Sequence, residues 1–192
     1  MSSPVQITDG TRFASIDRHN NTLAITAYEH SEIHAGAAHR ADAQAVDLAN
    51  AATLSIDFKT PASGKLMHFI VAASTENAAD IIFYEDIELS GNGSAITPRN
   101  ANRNFGDGGT VQFMFKDSTL VTTNTVVLGS RHIGSTGSRP SDPSIGGGQV
   151  VSRHEWVLRA DTWYSVLLTN VSGGVQTVWI GLDWYEHTPK TS

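Results

Sequence analysis

At 192 residues the chain is about one domain long, and its 40% apolar residues suffice for a core. Net charge is −6, only 17% of residues are charged and there is no cysteine. Disulfides and thiolate chemistry are thereby excluded, and the acidic balance argues against nucleic acid as a partner. No apolar run nears the roughly 18 residues that cross a bilayer, and MSSPVQITDGTR carries no basic-then-apolar leader, so neither membrane nor secretion is expected.

Residues 1–50 show little alternation. They read as an N-terminal arm with one short strand at 23–28, because the apolar residues of AGAAHRADAQAVDLANAA are almost all alanine and have little to bury. Removal of residues 1–45 is therefore expected to leave a folded domain. From Leu54 onward strand signals recur. Leu54, Ile56 and Phe58 alternate with polar residues, and Met67, Phe69 and Val71 form the next face. The segment IIFYE, a short piece at 94–97, Val111 to Phe115 and a stretch at 119–128 follow.

The last strands are expected at 150–158, 162–170 and 175–186, joined by hairpin loops at Ala160-Asp161 and Ser172-Gly173-Gly174. Between them, residues 129–149, rich in Gly and Ser with Pro140 and Pro143, read as a long exposed loop. Many short strands without helical periodicity specify an all-β antiparallel sandwich or barrel over residues 51–192.

Three groups of residues carry candidate chemistry. His30, Glu32, His34 and His39 could offer metal ligands, but the segment is not H-E-x-x-H and holds Gly36, so surface or interface contacts are the expected role. Asp183, Glu186 and His187, with Glu155, could supply a carboxylate pair, but no second acid is placed by spacing to complete one. The glycine-rich pieces match neither a P-loop nor a dinucleotide fingerprint, and Arg99 and Arg103 argue against a calcium loop in NANRNFGDGG. No enzyme and no cofactor is expected.

The closing strand VWIGLDWYEH places Val178, Ile180, Leu182 and Trp184 on one face and Trp179, Gly181, Asp183 and Tyr185 on the other. The second face is too aromatic for free solvent exposure, so a covering arm, sheet or sister subunit is expected there.

This ending, with EIHAG at 32–36, TPRNANRN at 97–104, EWVL at 155–158 and Trp163-Tyr164, resembles the small β-rich capsid decoration (cement) proteins of tailed bacteriophages. The resemblance implies a jelly-roll-like sandwich, assembly in a bacterial cytoplasm and a place on the outer surface of the virion capsid. It further implies a homotrimer that bridges neighbouring major capsid subunits. His30, Glu32, His34, Arg103, Trp179, Asp183 and Tyr185 are the interface candidates. The alternative reading is a receptor- or glycan-binding domain of a phage fibre or head spike, favoured by Trp179 and Tyr185 flanking Asp183.

Overall fold

The computed structural model describes residues 16–17, 22–23, 28–62, 64–107, 109–121, 125–134, 148–151 and 155–188. Ile16–Asp17 (β1) and Thr22–Leu23 (β2) pair with each other, and a short helix, Tyr28–His34 (α1), precedes the long strand Ala38–Leu48 (β3). Thr53–Lys59 (β4), Leu66–Thr75 (β5) and Ala79–Glu85 (β6) follow. Next come five short strands: Glu88–Gly91 (β7), Ser94–Ala95 (β8), Arg99–Asn100 (β9), Phe113–Lys116 (β10) and Thr119–Val121 (β11). Val126–Ile133 (β12), Gly148–Val151 (β13), Trp156–Leu158 (β14), Trp163–Asn170 (β15) and Gln176–His187 (β16) complete the described chain.

Two sheets share one core. The first runs β13-β5-β16-β3-β9, with β14 also on β5, and the second runs β12-β6-β15-β4-β10-β8. When β13 and β14 are counted as one strand, the eight principal strands in chain order are β3, β4, β5, β6, β12, β13/β14, β15 and β16. The first sheet then reads 1-8-3-6 and the second 2-7-4-5, all antiparallel. That order is a jelly roll, in which successive principal strands lie in opposite sheets except for β6 and β12, which pair side by side. The expected all-β sandwich is therefore the observed fold.

The core follows from alternation. Leu54, Ile56 and Phe58 of β4, Tyr164, Val166 and Leu168 of β15, and Val178, Ile180, Leu182 and Trp184 of β16 are all buried. Aromatic rings join the two sheets: Phe58 lies 4.9 Å from Phe69 and Phe83 lies 5.4 Å from Phe69, centroid to centroid. Apart from His39 Nδ1, the buried side-chain polar atoms among the described residues are paired. Asp57 accepts hydrogen bonds from Ser165 Oγ (2.6 Å), Ser55 Oγ (2.8 Å) and Ser118 N (3.0 Å), while burial pushes its carboxyl above the ordinary aspartate value. Tyr164 donates to Glu85 Oε2 at 2.7 Å and accepts from Arg159 N at 2.9 Å, and burial followed by the Glu85 bond raises its phenol well above normal.

The structure departs from the sequence reading mainly before residue 50. Ala38–Leu48, expected to be irregular, is a strand of the first sheet paired with β16 along most of its length. Ala41 and Ala43 point inward and are buried, whereas Arg40, Asp42 and Gln44 are exposed. Of the strand expected at 23–28, Leu23 ends β2 and Tyr28 opens α1, while residues 24–27 lie outside the described residues. β12 extends through Ile133 into the expected loop, and residues 135–147 of that loop lie outside the described residues.

Candidate functional site

Three of the five sequence pieces behind the resemblance, EIHAG, TPRNANRN and DWYEH, meet at one end of the sandwich. Arg99 Nη1 donates to Asp107 Oδ2 at 2.7 Å, Arg103 bonds the same carboxylate, and Asn100 N donates to Asp107 Oδ1 at 3.0 Å. This knot holds Asp107 ionised, well below the ordinary carboxylate range. From it, Asn100 Nδ2 donates to Gly36 O at 2.8 Å and Asn102 Nδ2 to His34 O at 3.4 Å. A Cβ on Gly36 would lie 2.6 Å from the Phe105 ring, so the EIHAG turn needs its glycine for this contact. Glu186 N in turn donates to Ala37 O at 3.1 Å. The motifs interlock with each other.

DWYEH divides between the two faces of β16. Trp184 and Glu186 point inward. The Glu186 carboxylate accepts from Thr110 N (3.0 Å), Trp184 Nε1 (3.1 Å) and Thr110 Oγ1. His39 stacks on Trp184 with centroids 5.7 Å apart. Its Nδ1 is buried without a hydrogen-bond partner among the described residues, and burial lowers its pKa against the opposing pull of Glu186. His39 therefore lies inside the sandwich, while His34 is exposed on α1 and Glu32 is half-buried there. The side chain of His30 lies outside the described residues. Among the described residues no group of three or more His, Cys, Asp or Glu side chains is arranged to hold a metal.

On the outer face of the first sheet, Asp183 pairs with Arg40 Nε at 2.8 Å. Trp179 lies over Gly181, where a Cβ would approach its ring to 2.2 Å, and its Nε1 reaches Asp42 at 3.4 Å. α1 packs against β3 and β16, and Ile33 lines the same shallow groove as Asp183 and Tyr185.

Beside this groove, Tyr185, His68, His187 and Glu155 form a cluster that sequence reading brought together only in part. His68 stacks on Tyr185 and tilts against His187, each with centroids 4.6 Å apart. Both Tyr185 Oη and His68 Nδ1 bond the Glu155 carboxylate. His187 Nε2 meets His68 Nε2 at 2.6 Å, and His187 Nδ1 lies 3.0 Å from Thr188 O. Glu155 and His187, singled out as parts of a carboxylate set, are thus joined through His68. Asp183 and Glu186 are not part of the cluster. His68 was missed because a single histidine in the apolar strand LMHFIV carries no motif.

The outer face of the second sheet has a different character. Register across β10, β4 and β15 brings Phe113, Lys59 and Trp163 into one row. Phe113, Phe115 and Trp163 stack with interplanar angles of 9–18° and centroids 5.9–6.4 Å apart. Phe113 is 52% exposed, and Val127 on the far strand of the same sheet is 55% exposed. Half-buried Ile82, Tyr84 and Leu167 lie between them on the outward-facing positions. Lys59, Asp161 and Gln112 form a polar rim, with Lys59 Nζ 2.6 Å and Gln112 Nε2 2.9 Å from Asp161 Oδ1.

No family model, no curated protein and no solved structure matches the chain. No helix among the described residues is long and apolar enough to cross a membrane.

Proposed function

We propose that this chain is a structural protein of a tailed-phage head that binds the outer capsid surface and bridges neighbouring major capsid subunits. The observation that carries the reading is the aromatic and aliphatic outer face of the second sheet, Phe113, Trp163, Phe115, Tyr84, Ile82 and Val127. In a sandwich with one face on its core, the opposite face is ordinarily polar, and apolar residues gathered there mark an interface; here they flank a polar strip of Ser55, Asp57 and Lys59 on β4. Interfaces concentrate aromatic residues because each buries a large area at little conformational cost. The order of the sequence motifs supplies the class of partner. Their interlocking gives them a structural role, which suits a chain whose task is to hold shape under load. Many copies each burying such a face would stiffen a shell by multivalency.

Mixing the purified protein with expanded heads of the phage that encodes it, then sedimenting the heads, tests this. Saturable co-sedimentation that Trp163→Ser lowers at least tenfold is expected. A protein that stays in the supernatant contradicts it. The parallel rings of Phe113, Trp163 and Phe115 beside a polar rim favour a second reading, a glycan-binding head domain, since sugar rings stack on exposed aromatic faces. Glycan-array binding without affinity for heads would select that reading.

A further inference from the structure

We propose that residues 109–112 form an acid-released latch, closed over the end of the sandwich while His39 is neutral and lifted when His39 takes up a proton. The latch rests on two buried side chains, His39 and Glu186. Glu186 accepts from Thr110 N at 3.0 Å and from Thr110 Oγ1, which ties the segment to β16. Gly109 lies directly on the pair: a Cβ there would stand 3.0 Å from Glu186 Oε1 and 3.2 Å from His39 Nε2. Its φ of 59° also favours glycine, so the segment closes at this point without a side chain. Gln112 N donates to Lys59 O at 3.0 Å and fixes the far end.

The positions of the two His39 nitrogens make this closure sensitive to acid. The residue is 6% exposed and its ring stacks on Trp184. Nδ1 is buried with no hydrogen-bond partner among the described residues, while Nε2 lies on the side of Gly109 and Glu186. The neutral ring therefore carries its hydrogen on Nε2, and a second proton has to sit on Nδ1 as a buried N–H without an acceptor, which is costly. The charged groups that face the ring are Glu186 on β16, Lys65 in the β4–β5 turn and Asp107 ahead of the segment, while β9 presents the uncharged Asn100. Burial is the largest influence and holds the ring below the ordinary histidine value. Glu186 and Asp107 oppose it, and Lys65 adds to it. The closed form thus favours neutral His39, and that contribution is complete above pH ~6.5 and is lost as pH falls below it. Lifting the segment gives Nδ1 water and frees the Glu186 carboxylate to meet the imidazolium. The Asp107 carboxylate, held well below the ordinary range, stays ionised and keeps its knot tied, so the release is local.

Hydrogen exchange of the full chain, read by NMR at pH 7.5 and at pH 5.5 and corrected for the intrinsic effect of pH, tests this. The N–H groups of Thr110 and Gln112 should lose protection by about five- to tenfold at the lower pH, while the amides of β4 and β15 keep theirs. His39→Phe keeps a flat ring beside Trp184 but takes up no proton, so its Thr110 N–H should stay protected at both pH values. In the wild-type chain the His39 ring signals should titrate below the ordinary histidine value, in step with the Thr110 amide. Equal protection of Thr110 at the two pH values overturns the proposal. Loss of protection that persists in His39→Phe overturns it as well, since another group then drives the opening. If His39→Phe does not fold, the wild-type titration decides alone: a His39 ring that titrates while the Thr110 amide stays unmoved overturns the latch.

Discussion

At Ala51, in the turn between β3 and β4, the backbone takes φ = 63°, a region where a Cβ is strained. Its N–H donates to Asn170 O at 2.8 Å, which holds it there. Ala51→Gly keeps that bond and relieves the strain, so thermal or urea unfolding should show a gain of about 1 kcal/mol. Tyr164→Phe acts in the opposite direction. It leaves Arg159 N without its acceptor and removes the hydroxyl donor to Glu85 Oε2, whose carboxylate keeps only the Arg159 guanidinium among the described residues, and should cost about 1–3 kcal/mol in the same measurement. Asp107 adds a pH dependence. Its folded pKa is depressed by Arg103 first, then by Arg99 and Asn100 N. The ionised carboxylate therefore contributes stability that is present above the unfolded value of about 3.9 and is lost as pH falls below it toward the folded value. Asp107→Asn should flatten the stability profile below pH ~4, read as melting temperature against pH. Ala51 and Tyr164 depend on partners far away in the chain, Asn170 and Glu85, which no local pattern encodes, whereas Asp107 is held by its near neighbours Arg103, Asn100 and Arg99.

Among the elements, those with large inward residues were legible and those with small ones were not. β4, β5, β6, β15 and β16 were all anticipated, because Leu, Ile, Phe and Val mark alternate positions. β3 has the same alternation, AHRADAQAV, written with alanine against Arg, Asp and Gln. Counting alanine as apolar would have found it. Its pairing with β16 reverses the expectation for the arm: deleting residues 1–45 removes most of β3, exposes one edge of β16 and uncovers Trp184 and Leu182. Circular dichroism and proteolysis of that deletion should report an unfolded or aggregating chain. A cooperative melt like that of the full chain would contradict this assignment. The candidate site was half legible. Tyr185, Glu155 and His187 attracted notice by composition, but only the pairing of β16 and β14 with β5 brings them to His68.

For the whole molecule, the fold class followed from counting short strands, whereas the jelly-roll order rests on long-range pairings that no local pattern encodes. The outer face of the second sheet was legible only as scattered aromatics, since Phe113 and Trp163 are 50 residues apart and join through β4. If copies associate through that face, light scattering of the purified chain should give the mass of a trimer, and Trp163→Ser should lower it. The proposed capsid-binding role stands most directly on one measurement: sedimentation of the labelled chain with expanded heads of the phage proposed to encode it. It predicts a fixed, saturating number of copies per head, lost with Trp163→Ser and retained with Gln44→Ala, a change at an exposed residue of β3 on the other sheet. A chain that remains in the supernatant at saturating head concentration, or that binds equally well without Trp163, would contradict it.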